Sequence, residues 1–303
     1  MAESIATTTK TAGDTASIQV ATDGPGPPER VRVRIRPSTG WRAVNLAELW
    51  HFRELFWFLA LRDIQVRYKQ TVLGVAWAIL QPFLAMLLFT IFFGRLAGLD
   101  QRTGDTPYPL FAFCALVPWQ FFSYALTQSS NSLVSEQRLL TKVYFPRLII
   151  PMAPVLSGMV DFGVSFLLLV GMMVYYGVSP QVTVLLLPAF VLMAVAAAMA
   201  IGLWLSALNA IYRDVRYTIP FLTQFWLFAT PVAYPASIVP ERWQWLYGLN
   251  PMVGVIEGFR WTLLGGGQPA WAAVAVSFAV VGVLLVGGLF YFRRMEKIFA
   301  DVV

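Results

Sequence analysis

Charge is scarce in this chain. Asp, Glu, Lys and Arg make up 13% of its 303 residues, about half the share of a typical globular domain. So little charge excludes an ordinary soluble fold. A single cysteine, Cys114, excludes an internal disulfide. Histidine is also used once, at His51. With no acidic cluster beside it, the chain has no metal-ligand set and no general base for an embedded enzyme. The phosphate-cradling pattern G-x-x-x-x-G-K-[ST] is missing as well, so the chain cannot supply such a nucleotide site.

Apolar side chains take the place of these groups. Hydrophobic residues make up 58% of the sequence, and the mean hydropathy is +0.65. Several runs reach about 20 residues, enough to cross a hydrocarbon core of roughly 30 Å. The composition therefore defines an all-α polytopic membrane protein. Six segments qualify as spans, at about 74–96, 108–132, 148–176, 182–209, 216–235 and 269–292. Prolines punctuate them at Pro82, Pro109, Pro118, Pro188 and Pro220, which membrane helices tolerate when neighbours satisfy the freed carbonyls. If both termini are cytoplasmic, 18 of the 22 Lys and Arg residues fall on that side. The positive-inside rule favours this orientation. It also accounts for the net charge of +6 without nucleic acid.

Residues 1–43 are Thr-, Ala- and Gly-rich and then read "GPGPPERVRVRIRP". They show neither the basic start nor the short apolar core of a cleavable signal peptide, and a disordered cytoplasmic tail is expected. Residues 44–70 read as an amphipathic helix in the cytoplasmic interface. Trp50, Phe56, Trp57, Leu61, Ile64 and Tyr68 would turn toward lipid or protein, while Arg62, Arg67 and Lys69 reach headgroups. Between the last two spans, Asn250-Pro251 divides residues 236–268 into pieces too short to cross a bilayer. Two short helices dipping into the outer leaflet are expected there, with Glu257 and Arg260 on one face of the second. Asp161 falls near the middle of the third span, where a carboxylate costs on the order of 3 kcal/mol. It needs a partner, for which Asn209 and Gln224 are candidates, or a polar site on a pathway.

Four stretches carry a family resemblance: "LRDIQVRYKQTVLGVAWAILQP" at 61–82, "SEQRLLTKVYFPRLIIP" at 135–151, "YRDVRYTIPFLTQFWLFATPVAYP" at 212–235 and "LNPMVGVIEGFRWTLLGG" at 249–266. In this order they resemble ABC-2-type permeases of polysaccharide export, the membrane subunits of O-antigen, capsule and teichoic-acid ABC transporters. The resemblance covers about 44–303. It implies six spans per protomer, an interface helix before the first, and two gate helices before the last. It further implies a homodimer bound to two copies of a separate ATPase subunit, which would bind ATP and Mg. No cofactor is then expected in this chain, and the substrate would be a lipid-linked glycan moved out through the cytoplasmic membrane.

The resemblance also assigns roles to residues. A coupling helix at about 135–147 would present Glu136, Arg138, Leu140, Lys142 and Tyr144 to the ATPase. Arg62, Arg67, Tyr68 and Lys69 would form a cytoplasmic gate near the anionic headgroup of the substrate. Trp77, Phe83 and Phe89 of the first span, with Phe221, Phe225 and Phe228 of the fifth, would line the channel. Asn250, Pro251, Glu257 and Arg260 would belong to outer gate helices at about 238–265. An ABC-2 exporter of drugs or small lipids shares this architecture and stays open as an alternative. A membrane glycosyltransferase or an ion-coupled carrier lacks the ionisable residues it would need.

Overall fold

A computed structural model describes residues 46–69, 74–104, 106–212, 214–265 and 268–302. The expected tail and its "VRVRIR" stretch lie outside the described residues. Among the described residues there is no strand. Helices follow from the composition, because in hydrocarbon a chain segment must pair its own backbone groups.

The order is α1 (Leu46–His51), α2 (Arg53–Lys69), α3 (Gly74–Phe89), α4 (Tyr108–Ser135), α5 (Gln137–Lys142), α6 (Ile149–Tyr175), α7 (Leu187–Ile211), α8 (Val215–Ala229), α9 (Glu241–Tyr247), α10 (Pro251–Leu264) and α11 (Trp271–Val302). A π-helical turn, Thr90–Leu96, extends α3. Five of these units are long and apolar enough to cross a membrane: Ala76–Leu96, Tyr108–Ser135, Ile149–Tyr175, Val182–Ile211 and Trp271–Glu296. Pro109 and Pro188 fall in the first turns of α4 and α7, where a missing N–H costs nothing. Pro82, Pro118 and Pro220 lie inside helices.

The segment expected to cross at 216–235 behaves differently. Its helix α8 has 15 residues, or roughly 22 Å. It stops at Thr230, which is extended (φ −110, ψ 144) because Pro231 follows and disfavours helical geometry in the residue before it. Thr230, Val232 and Ala233 continue as buried non-helical chain. Tyr108, the first residue of α4, donates from its hydroxyl to the Ala233 carbonyl at 2.7 Å. Helix plus extended chain thus runs from the end of α7 to the level where α4 begins.

α4 is the hub, packing on α3, α6, α7 and α10 and buried along most of its length. Polar clamps fix it to its neighbours. Ser129 donates to the Pro151 carbonyl of α6 at 2.8 Å. Asn209 of α7 donates to the Ser130 carbonyl at 2.9 Å and to Asn131 Oδ1 at 3.1 Å. A second apolar cluster joins Leu59 of α2, Leu133 of α4, Phe145, Ile149 and Ile150 around the start of α6, Leu203 of α7, and Phe292 and Phe299 of α11. Arg147 donates to the Glu296 carbonyl of α11 at this same end. The end also carries Arg138, Lys142, Arg216, Arg293 and Arg294, and is called the basic end below.

The opposite end holds α9 and α10. The break falls at Asn250-Pro251, and nearly all of α10 is buried among α4, α7, α11 and the 3-10 turn Val182–Leu186. Two glycines permit this enclosure. A Cβ at Gly258 would sit 2.1 Å from ring atoms of Phe190, and one at Gly248 would sit 2.6 Å from the Ala273 carbonyl oxygen. Gly258→Ala and Gly248→Ala should each destabilise the protein by about 1–3 kcal/mol. The thermal unfolding midpoint in detergent should fall for both. Gly163→Ala, whose Cβ would meet nothing, should leave the midpoint unchanged or raise it slightly.

Candidate functional site

At the far end of the bundle the residues expected as an outer gate come together. Asn250 caps α10: its Oδ1 accepts from the Met252 N–H at 3.0 Å and from Trp226 Nε1 at 2.9 Å. Its amide nitrogen donates to the Thr230 hydroxyl at 2.9 Å and the Ala229 carbonyl at 3.2 Å. One side chain therefore ties the end of α8 to the start of α10. Pro251 occupies the first helical position, and the next free donor, Gly254 N–H, is taken by Ser277 Oγ of α11 at 3.1 Å.

Arg260 does more than pair with Glu257. The ion pair is 3.6 Å long, with side chains 8% and 16% exposed. The guanidinium also donates to the Val232 carbonyl at 2.8 Å and the Tyr234 carbonyl at 3.3 Å. It lies over the Phe111 ring, 3.6 Å from the centroid. Tyr234 in turn meets Tyr247 of α9, hydroxyl to hydroxyl, at 3.0 Å. A buried cation thus pins the non-helical chain after α8 onto α4 and α10. The i, i+3 spacing points to Glu257, whereas the carbonyls and the ring come from 26 to 149 residues away and leave no local signal.

At the basic end, α5 is a six-residue helix. Arg138, Lys142, Val143 and Tyr144 are exposed. Leu139 and Leu140 turn inward onto the apolar cluster of that end. Glu136, at the N-terminal edge of α5, accepts from Arg62 of α2 at 2.5 and 3.1 Å. That contact, with Asp63 3.0 Å from the same guanidinium, holds the Arg62 pKa above its usual value against the opposing effect of burial. Of the five residues expected to face a partner, Arg138, Lys142 and Tyr144 stand free on the surface.

The helix expected at 44–70 forms as α1 and α2. Leu59 and Ala60 are buried, and α2 packs along α6. Its aromatic residues divide between two sides. Phe56, Ile64 and Tyr68 are half-buried, while Trp50, Trp57 and Leu61 are exposed. The inner side is mixed in character because Arg62, Arg67 and Tyr68 also turn toward the bundle to meet carboxylates.

The carboxylate that Arg67 and Tyr68 meet is Asp161. The Arg67 guanidinium pairs with Asp161 Oδ2, and the Tyr68 hydroxyl donates to Oδ1. Arg67 also lies over the Tyr124 ring of α4, 3.9 Å from the centroid. Asn209 and Gln224 are not its partners: Asn209 is engaged by α4, and Gln224 is exposed on α8. Helix α2, passing beside α6, reaches the acid first. Lys69 is exposed.

Of the aromatic residues expected to line a conduit, Phe221, Phe225 and Phe228 are exposed along one side of α8, joined by Tyr217. Trp77 and Phe83 are exposed on α3, whereas Phe89 is half-buried beside Phe93. Both helices contact α4 and keep an aromatic side exposed among the described residues.

With five helices long and apolar enough to cross a membrane, the described bundle is that of a polytopic membrane protein. The family profile for the ABC-2 type transporter matches residues 54–264, and the chain belongs to that family. It is 31% identical over 255 residues to the O-antigen export system permease protein RfbA of Myxococcus xanthus, covering 82% of this chain and 96% of that protein. It is 27% identical over 243 residues to the RfbA permease of Klebsiella pneumoniae, covering 80% and 92%. Identity to the polysialic acid transport protein KpsM of Escherichia coli is 24% over 213 residues, covering 69% and 80%.

The Arg260 pin makes a direct test possible. Arg260→Ala leaves Glu257 and two carbonyls without their cation and should cost about 3–5 kcal/mol. Asn250→Ala removes the cap and should cost about 1–2 kcal/mol. Thermal unfolding of the purified protein should rank the midpoints Arg260→Ala below Asn250→Ala below wild type.

Proposed function

We propose that this chain is the permease subunit of an ATP-driven exporter that moves a polysaccharide across the cytoplasmic membrane. The observation that carries the reading is its 31% identity along 96% of an O-antigen export permease. A polysialic acid transport protein among its relatives points to the same substrate class. The uncovered aromatic sides of α3 and α8 suit a glycan, because sugar rings stack their C–H faces on aromatic faces. On this reading the polymer travels on a lipid carrier, and two protomers bring those sides together around it.

The basic end faces the cytoplasm, since Arg and Lys residues concentrate there. Both termini are then cytoplasmic. ATP and Mg are bound by a separate subunit present in two copies, against which α5 docks. Exposed Arg138, Lys142, Val143 and Tyr144 supply charge and apolar knobs in one short loop, a combination that suits a partner better than water. The half-buried Leu139 and Leu140 brace the helix from behind.

The protein should be purified in mild detergent from its own cells, and whatever accompanies it identified. A stoichiometric ATPase with a glycolipid is expected. An ATPase with only small lipids or drugs would move the protein to another branch of the family. A folded preparation with no ATPase at all would defeat the proposal. In the reconstituted complex, Lys142→Glu combined with Tyr144→Ala should cut transport at least about tenfold while leaving the fold intact, the loss of one modest contact set. Normal export by this double variant would show that α5 does not dock.

A further inference from the structure

We propose that Gln120 and Gln128 of α4 form a hydrogen-bonding rail for the hydroxyl groups of the transported polysaccharide. The inference rests on the export reading above and adds to it two contacts on a helix so far treated only as the hub of the bundle. Helix α4 is buried along most of its length, and what it leaves uncovered is polar. Gln120, Ser123, Tyr124, Thr127 and Asn131 are half-buried, and Gln128 is exposed. At 3.6 residues per turn these six fall on one side of the helix.

Lipid does not suit this side. The other long helices expose large apolar residues, such as Leu167 and Val174 of α6, Leu192 of α7, and Val283 and Val286 of α11. On α4 the one large hydrophobic residue exposed is Val134, in the last turn at the basic end. An amide left in hydrocarbon without a partner costs several kcal/mol. Several polar groups of this side escape that cost locally. The Thr127 hydroxyl donates to the Ser123 carbonyl at 2.8 Å, and the Asn131 amide to the Thr127 carbonyl at 2.8 Å. The Tyr124 hydroxyl meets Ser157 of α6 at 3.3 Å. The Gln120 and Gln128 side chains, in contrast, form no hydrogen bond among the described residues. Tyr124 stands between them, so the three follow at i, i+4 and i+8 over roughly 12 Å.

A glycan meets the needs of these amides. Each offers both donors and an acceptor, and a sugar ring carries hydroxyl groups that do the same around its rim. Its C–H faces suit the exposed aromatic sides of α3 and α8, and both of these helices pack on α4. Each aromatic side holds one amide as well. Gln81 lies one turn from Trp77 and Gln224 one turn from Phe221 and Phe228; both are exposed and form no hydrogen bond among the described residues. A helix from a second copy fits less well. Close approach of membrane helices calls for small residues at the contact, whereas Gln120, Tyr124 and Gln128 are long. Neutral amides also hold a sugar weakly at several places, as passage requires.

The test is photo-crosslinking of the full-length protein in its own cells during export. The photoreactive residue p-benzoylphenylalanine replaces Gln120, Gln128, Phe225 or, as a lipid-facing control, Leu167, one at a time. Carbohydrate joined to the purified permease is then read by periodate staining. It is expected from Gln120, Gln128 and Phe225, with none from Leu167. Carbohydrate from Phe225 and from neither glutamine overturns the rail and leaves the export reading standing. Carbohydrate from no position overturns both. Permease chains cross-linked to each other at the two glutamines, in place of carbohydrate, assign this side to a second copy and overturn the rail. Should the photoreactive variants fail to assemble, Gln120→Leu and Gln128→Leu carry the test. Each should cut glycan export about fivefold, the loss of one hydrogen bond. The thermal midpoint in detergent should stay level or rise, because the folded chain loses no bond of its own. Wild-type export by both variants, or a lowered midpoint in both, overturns the rail.

Discussion

Every peptide group that lies in hydrocarbon must find a partner within the protein, because an unpaired one costs several kcal/mol. For most of this chain the α-helix meets that demand without outside help. The demand becomes acute where helix gives way, after Thr230 and before Pro251. There the backbone groups are met by side chains: Tyr108 for Ala233, Arg260 for Val232 and Tyr234, Asn250 for Met252 and Ser277 for Gly254. The non-helical chain after α8 and the short helices that follow it persist because these substitutes are in place.

Such substitutes must themselves be housed. Arg260 carries a full charge into a buried setting, where isolation would be prohibitive. Glu257, two carbonyls and the Phe111 face share the load. The hydroxyl and amide clamps between α4, α6 and α7 are neutral and individually modest, yet they allow close approach of helices that have no hydrophobic reason to associate within lipid. Ser129 works in this way. Its hydroxyl bonds to the Pro151 carbonyl, and a Cβ at Gly202 would lie 2.7 Å from it.

The two ends of the bundle are held together in different ways. The far end is knit by buried polar contacts that hold the non-helical chain in one arrangement. The basic end combines a firm apolar cluster with half-exposed ion pairs along α2, linking Arg62 to Glu136 and Arg67 to Asp161. Half-exposed pairs contribute little net stability, so the apolar contacts of α1 and α2 with the cluster of that end carry most of their attachment.

Much of the fold could be read along the chain. The uncharged runs define spans since about 20 apolar residues suffice to cross, and Asn250-Pro251 marks a helix break through local geometry. Glu257 and Arg260 announce themselves as neighbours by spacing alone. Charge asymmetry between loops marks the basic end without any reference to packing. The partner of Asp161 could not be read in this way. It lies 93 and 94 residues earlier, on a helix whose path beside α6 no periodicity encodes. The same holds for the carbonyl seat of Arg260 and for the split of the α2 aromatics between two sides. Sequence alone determined which segments are helical and where charge gathers, because hydrophobicity and backbone preference act on neighbouring residues. Tertiary structure decided which buried charge meets which donor, because that depends on how rigid helices pack, and packing joins residues far apart in the chain.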